Sequence, residues 1–257
     1  MDTSFAPSQP NSTLLWTEVA AEGIEFSASL FPLSSALPDE DTPRVAEPSA
    51  WSVSNAKRWL DFIVAFVAVL LCWPLLVLTA FVVSFESPGP VIFRQKRVGQ
   101  GGELFTVYKF RTMEVASQHD GPSMTKRGDR RVTRVGSFLR KHKLDELPQL
   151  FNVLRGEMSL IGPRPRLPHH MDVRNLPFRP GLTGAATLAF RCEEEMLQHI
   201  PDEELEIYNS RMIIPLKTKL DWDYMEQATL ASDLALLVET AACCLSQRPT
   251  TLMIDLL

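Results

Sequence analysis

The strongest feature of the hydrophobic pattern is a run of 22 residues, 62–83, that contains no charged side chain. A helix of about 20 apolar residues is long enough to cross a hydrocarbon core of roughly 30 Å. The run therefore predicts a membrane segment. A buried helix of a soluble core is the alternative, which so long an uncharged stretch disfavours.

The middle of this run contains Trp73 and Pro74, and a proline inside a helix removes one backbone hydrogen bond. Basic residues flank the run on both sides: Lys57 and Arg58 precede it, and Arg94, Lys96 and Arg97 follow it. Because basic flanks favour the cytoplasmic side, both ends are expected on that side. The pattern thus favours a helix broken at Trp73 and Pro74 that enters and leaves on one face, with a kinked single span as the alternative.

Two segments of alternating polarity, VIFRQKRV and ELFTVYKF, follow on either side of residues 99–102, whose sequence is Gly-Gln-Gly-Gly. Glycines accept the positive φ angles of tight turns, so the pattern predicts a β-hairpin. Its basic side chains are Arg94, Lys96, Arg97, Lys109 and Arg111. A lipid-facing or solvated basic ribbon and a phosphate-binding surface are equally compatible with them.

Helical spacing dominates the rest of the chain. Leu147, Leu150, Phe151 and Leu154 lie at i, i+3, i+4 and i+7, which predicts one buried helix face. A second apolar face suits a protein core better than a membrane surface; it consists of Leu230, Leu234, Leu237, Val238 and Leu245. The predicted fold class is mainly α with a small β-hairpin.

Charge is unevenly distributed along the chain. The net charge is −5, but residues 1–50 alone contribute −7 and are rich in Pro and Ser. This composition predicts a mobile tail over residues 1–50. We expect the membrane helix within 51–86, a catalytic domain over 87–248 and a short tail over 249–257.

Residues 94–155 carry a net charge of +8, which is typical of proteins that bind nucleic acid, acidic lipid or phosphorylated small molecules. Nucleic acid is disfavoured because no zinc-finger spacing, aromatic RNA-binding motif or heptad array accompanies the charge. The four cysteines show no metal-binding spacing, so free thiols are expected.

The most informative polar motif is the adjacent pair Asp145 and Glu146, which follows the basic run Arg-Lys-His-Lys at residues 140–143. Carboxylates at a helix start stay ionised and can act as a nucleophile or a magnesium ligand. Two carboxylates among many cations suggest a site for phosphate, with or without a metal. A helix cap followed by a solvated acid is the alternative. Arg164, in the rigid turn at 161–165, adds a guanidinium suited to phosphate oxygens.

Several long motifs occur in one order: KRWLDFIVAF, SPGPVIFRQKRVGQGGELFTVYKFRTM, DRRVTRVGSFLRKHKLDELPQLFNVLRGEMSLIGPRP and RPGLTG. Over residues 57–245 the chain closely resembles the bacterial sugar transferases that are monotopic phosphoglycosyl transferases. The resemblance implies transfer of a sugar 1-phosphate from a UDP-sugar to polyprenyl (undecaprenyl) phosphate with release of UMP, as the first membrane step of a bacterial glycan or exopolysaccharide.

The resemblance also implies a monotopic protein on the cytoplasmic face of the inner membrane, held by a re-entrant helix, interfacial amphipathic helices and membrane lipids. Its partners would be the UDP-sugar and the lipid phosphate, with Mg²⁺ as cofactor and a homodimer left open. One departure is Trp73, which stands before Pro74 where the family usually has serine.

Residue roles follow from the matching motifs. Asp145 is implied as the nucleophile and as a metal ligand, and Glu146 as its partner. The implied phosphate- or substrate-binding residues are Lys109, Arg111, Arg140 and Arg164, together with Arg191 in place of the arginine of a divergent motif. The competing hypothesis is a non-catalytic membrane scaffold for polysaccharide assembly, because a fold does not by itself fix a function.

Overall fold

The computed structural model describes residues 47–115, 125, 128–168, 176–191, 193, 197 and 200–245. The predicted tail over 1–50 therefore lies outside the described residues except for 47–50, and the tail over 249–257 lies outside them entirely. Among the described residues the elements are mainly helical, with two small sheets.

The elements run in this order: α1 (Asn55–Glu86), β1 (Ile92–Val98), β2 (Leu104–Phe110), α2 (Arg134–Lys141), a 3-10 helix (Leu144–Gln149), α3 (Leu150–Arg155), β3 (Ser159–Ile161), β4 (Gly181–Thr183), α4 (Ala185–Ala189), α5 (Asp202–Tyr208), a π-helical turn (Asn209–Ile213), α6 (Ile214–Gln227) and α7 (Leu230–Leu245).

Helix α1 contains the charge-free run and begins at Ser54, whose side chain accepts a hydrogen bond from the backbone N–H of Lys57. Within the described part of the chain, it is the helix with the length and hydropathy of a membrane span. The predicted break at Trp73 and Pro74 is wrong as an interruption of the helix, since α1 continues through Pro74. The physical reason is that one proline removes only one hydrogen bond from a helix of 32 residues.

Both ends of α1 pack on the domain that follows it. Near its start, Arg58 donates hydrogen bonds to the carbonyls of Val153 and Leu154, at 2.7 and 3.0 Å. Near its end, Val83 packs in a hydrophobic cluster with Phe110 and Leu139. Between these contacts the helix exposes large apolar side chains: Leu70, Leu71 and Trp73.

Strands β1 and β2 form the predicted antiparallel hairpin, with Ile92 opposite Phe110 and Val98 opposite Leu104. Gly101 has a φ of 68°, as the turn requires. One face of β2 buries Phe105 and Val107 in the main hydrophobic core.

A second, parallel pair of strands, β3 and β4, was not predicted, and it places the turn after residue 161 beside the loop before residue 184. The two backbones approach so closely that a Cβ on Gly181 would lie 2.2 Å from the backbone nitrogen of Gly162. Only glycine fits such a contact. These glycines therefore fix the position of the segment that carries Arg164.

The expected helix face around Leu150 is partly wrong. Phe151 is 43% exposed, whereas Asn152 and Val153 are fully buried. The helix is 3-10 up to Gln149 and α from Leu150 onward. Because a 3-10 helix has 3.0 residues per turn, the change of type shifts which residues face the core.

Helix α7 is joined to the start of α1 by a buried polar network. Lys57 forms an ion pair with Asp233. The same carboxylate accepts hydrogen bonds from Trp51 Nε1 at 2.8 Å and from the Tyr224 hydroxyl at 2.6 Å.

The predicted core face of α7 is wrong at Leu230, Leu234 and Val238, which are exposed, although Leu237 packs against the core. The buried leucine is Leu236, which lies on the opposite side of α7 and was not part of the predicted face.

We predict that Lys57→Met lowers the free energy of unfolding by about 3 kcal/mol, because it leaves the buried Asp233 carboxylate without its cation. Thermal and chemical unfolding of the detergent-solubilised protein measure the change. Lys96→Met, at an exposed position of β1, is the control and should shift stability by less than about 0.5 kcal/mol. Equal effects of the two substitutions would contradict a stabilising role of the pair.

Candidate active site

The two adjacent carboxylates lie in the first turn of the 3-10 helix Leu144–Gln149, directly after α2. Lys143 separates the two helices in a left-handed conformation with a φ of 55°, which turns the chain sharply. Asp145 is 6% exposed and Glu146 is 8% exposed. The interpretation as a helix cap followed by a solvated acid is therefore wrong, because both acids are buried.

Glu146 is held by two cations from distant parts of the sequence. Its Oε1 atom accepts a hydrogen bond from Lys109 Nζ at 2.8 Å and a second from the Arg164 guanidinium. Burial alone would raise the pKa of Glu146, but the charges of Arg164 and Lys109 outweigh it and hold that pKa well below its usual range. Glu146 is thus a permanent anion between β2 and the turn after β3.

Asp145 has the opposite environment. Its Oδ1 atom is buried and accepts no hydrogen bond from any described residue. Burial, together with the neighbouring charge of Glu146, raises the pKa of Asp145 despite the opposing cations Lys109 and Lys143. Two adjacent carboxylates with pKa values displaced in opposite directions are typical of a division of chemical roles.

Arg97 was not predicted to belong to this site. Its guanidinium donates hydrogen bonds to Gln95 Oε1 and to the Pro165 carbonyl, the latter at 3.1 Å. Burial, assisted by the nearby positive charge of Arg164, lowers the pKa of Arg97 to about 10. Arg97 therefore stabilises the turn that carries Arg164 through its hydrogen bond to the Pro165 carbonyl. The sequence offered one signal for this contact: Gln95 and Arg97 are two residues apart on β1, so their side chains lie on the same face of the strand.

Asp221, on α6, is a second residue that was not predicted. Its Oδ1 accepts the backbone N–H of Ala186 at 3.0 Å, and the backbone N–H of Arg164 lies close enough to lower the pKa of the carboxylate. Burial raises the pKa of Asp221 to about 7. The carboxylate thus joins the turn of Arg164 to the start of α4. No spacing pattern in the sequence connects these three segments.

Comparison with known proteins identifies the family of the chain. The sequence profile of the family described as "Bacterial sugar transferase" matches residues 52–247. The chain belongs to this family.

One relative is the UDP-N-acetylgalactosamine-undecaprenyl-phosphate N-acetylgalactosaminephosphotransferase of Aeromonas hydrophila, to which this family member is 48% identical over 139 residues. This alignment covers 51% of the chain and 33% of the relative. The chain is 47% identical over 160 residues to the UDP-glucose:undecaprenyl-phosphate glucose-1-phosphate transferase of Caulobacter vibrioides, covering 58% and 57%. The enzyme of the same name from Xanthomonas campestris is 38% identical over 204 residues, covering 75% and 39%. The chain thus spans about a third to just over half the length of these relatives.

In this family member, Arg111 binds backbone carbonyls and not the predicted phosphate. Its buried guanidinium donates hydrogen bonds to the carbonyls of Ser87, Pro88 and Pro90, at 2.5, 3.2 and 3.0 Å. Backbone oxygens bind both terminal nitrogens of this guanidinium, and its Nε atom is buried without a hydrogen-bond partner among the described residues, so the group is closed to a phosphate. Arg111 therefore stabilises the end of α1, and its assignment as a phosphate ligand is corrected.

Arg140 and Arg191 lie on the side of the domain that carries the carboxylates. Arg140 donates a hydrogen bond to Thr125 Oγ1 at 3.0 Å, and its charge is among those that act on Asp145. Burial raises the pKa of the Cys244 thiol, and the charges of Lys143, Glu146 and Arg191 all act on that thiol. The assignment of Arg140 and Arg191 as substrate ligands stays a prediction.

Mg²⁺ is the cofactor that the sequence predicts for this site. Within the described ranges, no three His, Cys, Asp or Glu side chains converge on one position. Asp145 nevertheless offers a buried oxygen without a hydrogen-bond donor. Mg²⁺ commonly takes only one or two protein carboxylates and completes its shell with substrate phosphates and water. The site therefore fits Mg²⁺ with Asp145 as its protein ligand.

We predict that Asp145→Asn increases the free energy of unfolding by about 1 kcal/mol at neutral pH, because it removes a buried negative charge beside Glu146. The folded-state pKa of Asp145 is raised, so its ionisation favours the unfolded chain. The stability difference between variant and wild type should therefore be small in acid and should grow as the pH rises above the ordinary pKa of an aspartate.

Unfolding curves recorded from acidic to neutral pH measure this difference. Asp129→Asn is the matched control, because hydrogen bonds from Arg131 lower the pKa of Asp129 and its replacement should not stabilise the protein. An Asp145→Asn variant that is less stable than wild type at neutral pH would show that the carboxylate is not destabilising.

Proposed function

We propose that this protein transfers a sugar 1-phosphate from a UDP-sugar to undecaprenyl phosphate and releases UMP, as the first membrane step of a bacterial glycan. The relatives from Aeromonas and Caulobacter bear the names of such transferases. The observation that carries the proposal is the buried Asp145, whose free oxygen lies beside a Glu146 anion fixed by two cations.

Asp145 is the nucleophile in this proposal. Its carboxylate oxygen attacks the β-phosphorus of the UDP-sugar, and the bond from that phosphorus to the oxygen bridging the two phosphates breaks. UMP leaves with the electron pair, and a phosphosugar remains bonded to Asp145. An oxygen of the lipid phosphate then attacks the same phosphorus and releases the carboxylate, giving polyprenyl-diphosphate-sugar.

Burial of Asp145 supports this role because its Oδ1 atom, which accepts no hydrogen bond from the described residues, keeps its electron pairs available for attack. Lys109 and Arg164 would face the negative charge of the diphosphate, and Glu146 holds both cations in position. A bound Mg²⁺, held by Asp145 and the diphosphate, would screen charge on the leaving UMP.

The membrane segment supports delivery of the lipid substrate. Since both ends of α1 pack on the same domain, we propose that α1 enters and leaves the inner membrane on its cytoplasmic face and bends at Pro74. Exposed apolar residues of α2 and α7, including Phe138 and Val238, would lie at the lipid interface. This arrangement holds the carboxylates near the plane in which a polyprenyl phosphate head group lies. A homodimer stays a prediction.

The scaffold alternative gains no support from the geometry. Asp145 is a buried carboxylate with an unsatisfied oxygen, and such a group destabilises a fold. Proteins retain destabilising polar groups mainly where a function requires them. A protein that only recruited partners would have no physical reason to keep this pair buried together with Lys109 and Arg164.

We predict that purified protein releases UMP from at least one UDP-sugar when undecaprenyl phosphate and Mg²⁺ are present, and that Asp145→Asn lowers the rate by about 10³-fold or more. The amide cannot attack phosphorus, whereas the fold is retained. Coupled detection of UMP over a panel of UDP-sugars measures both. Asp129→Asn, which removes a carboxylate of another ion pair, should retain the wild-type rate.

Residual activity of Asp145→Asn near the wild-type level would remove Asp145 from the nucleophile role. No UMP release from folded wild-type protein with any donor would instead contradict the transferase function itself. The two failures are distinguishable because only the second affects the wild type.

A further inference from the structure

A second ion pair, outside the catalytic carboxylates, lies on the side of Arg164 that faces α6. Lys217 Nζ donates to both carboxylate oxygens of Glu193, each at 2.6 Å. The two side chains are 25% and 21% exposed, so they are ordered but accessible. The Lys217 ammonium also lies 5.2 Å from the centre of the Phe190 ring.

The position of this pair follows from the contacts of α6. Thr218, the next residue after Lys217, accepts a hydrogen bond from the Arg166 side chain. Asp221, one helical turn after Lys217, accepts the backbone N–H of Ala186, and the backbone N–H of Arg164 lies close enough to lower its pKa. Because residues i and i+4 share a helix face, Lys217 points to the same side as Asp221, toward the turn that carries Arg164.

Electrostatics place Glu193 in the same neighbourhood. Glu146 is the main charge that raises the pKa of the Arg164 guanidinium, and Glu193 contributes in the same direction. Arg164 thus contacts Glu146 and lies near the accessible ion pair, since the charge of Glu193 acts on it. A diphosphate bound at Arg164 would extend one of its two ends toward Glu193 and Lys217.

The chemistry of the pair suits a sugar ring. Each sugar hydroxyl both donates and accepts hydrogen bonds, and a carboxylate beside an ammonium supplies an acceptor and a donor at one place. An acetamido group has the same two capacities. A site that hydrogen-bonds a hydroxyl group discriminates strongly against a substrate that lacks it or holds it elsewhere.

We propose that Glu193 and Lys217 bind the sugar ring of the donor and determine which neutral hexose or N-acetylhexosamine is transferred. This inference rests on the proposed transferase function and adds its specificity determinant. The relatives themselves are named for different donors, UDP-glucose and UDP-N-acetylgalactosamine, so the family requires residues that distinguish sugars.

The test uses the full chain in detergent with undecaprenyl phosphate and Mg²⁺. For wild type, Glu193→Gln and Lys217→Met, kcat/KM is measured with UDP-glucose, UDP-galactose and the N-acetyl analogue of each. The inhibition constant of UMP, which has no sugar ring at its phosphate, is measured on the same preparations. The controls are Glu226→Gln and Lys219→Met, because both positions lie on the opposite side of α6 from Lys217.

We expect each variant of the pair to reduce the ratio of kcat/KM between the best and the second donor by about tenfold or more. The inhibition constant of UMP should stay within about twofold of wild type, which also shows that the variant is folded. The control variants should retain the wild-type ratio.

An unchanged donor ratio in both pair variants would overturn the proposal. Weaker inhibition by UMP, together with an equal loss of kcat/KM for every donor, would also overturn the proposal. The pair would then bind the nucleotide or only support the fold. Failure of the wild type to release UMP from any donor would reject the transferase function and this inference with it.

Discussion

The arrangement of the site depends on one interaction, the buried contact of Glu146 with Lys109 and Arg164. The three residues come from a 3-10 helix, a hairpin strand and a turn, and none of these elements is adjacent to another in the sequence. A buried carboxylate must be paired, so the two cations are held where an incoming diphosphate would need them. The Oδ1 atom of the neighbouring Asp145 is left without a hydrogen-bond donor among the described residues.

This division gives the two acids different physical properties. Glu146 is stabilised as an anion, whereas burial and the charge of Glu146 disfavour ionisation of Asp145. The backbone of the neighbouring turn is closely packed. Gly162 and Gly181 bring two strands into a contact that no side chain could enter, and Asp221 fastens the turn of Arg164 to α4. Helix α1 packs on this domain near both of its ends.

Local patterns predicted much of this structure. The charge-free run predicted α1, the alternation around the glycine turn predicted the hairpin, and the Asp-Glu pair was placed correctly at a helix start. These features depend on residues close together in the sequence. The residues that were missed or misassigned depend on tertiary contacts: Arg97 and Asp221 support Arg164 from other elements, and Arg111 is occupied by carbonyls at the end of α1. Composition and spacing do not determine which cation meets a carbonyl and which meets a carboxylate.

The central claim is that Asp145 forms a covalent bond to the phosphosugar, and mass spectrometry of the digested protein tests it most directly. Purified protein is mixed with its UDP-sugar and Mg²⁺ without lipid, quenched, and digested for peptide mapping. The account predicts an added mass of one phosphosugar on the peptide that contains Asp145, lost when undecaprenyl phosphate is added and absent in Asp145→Asn. Lipid-dependent turnover with no adduct under any quench, or an adduct on another residue, would contradict it.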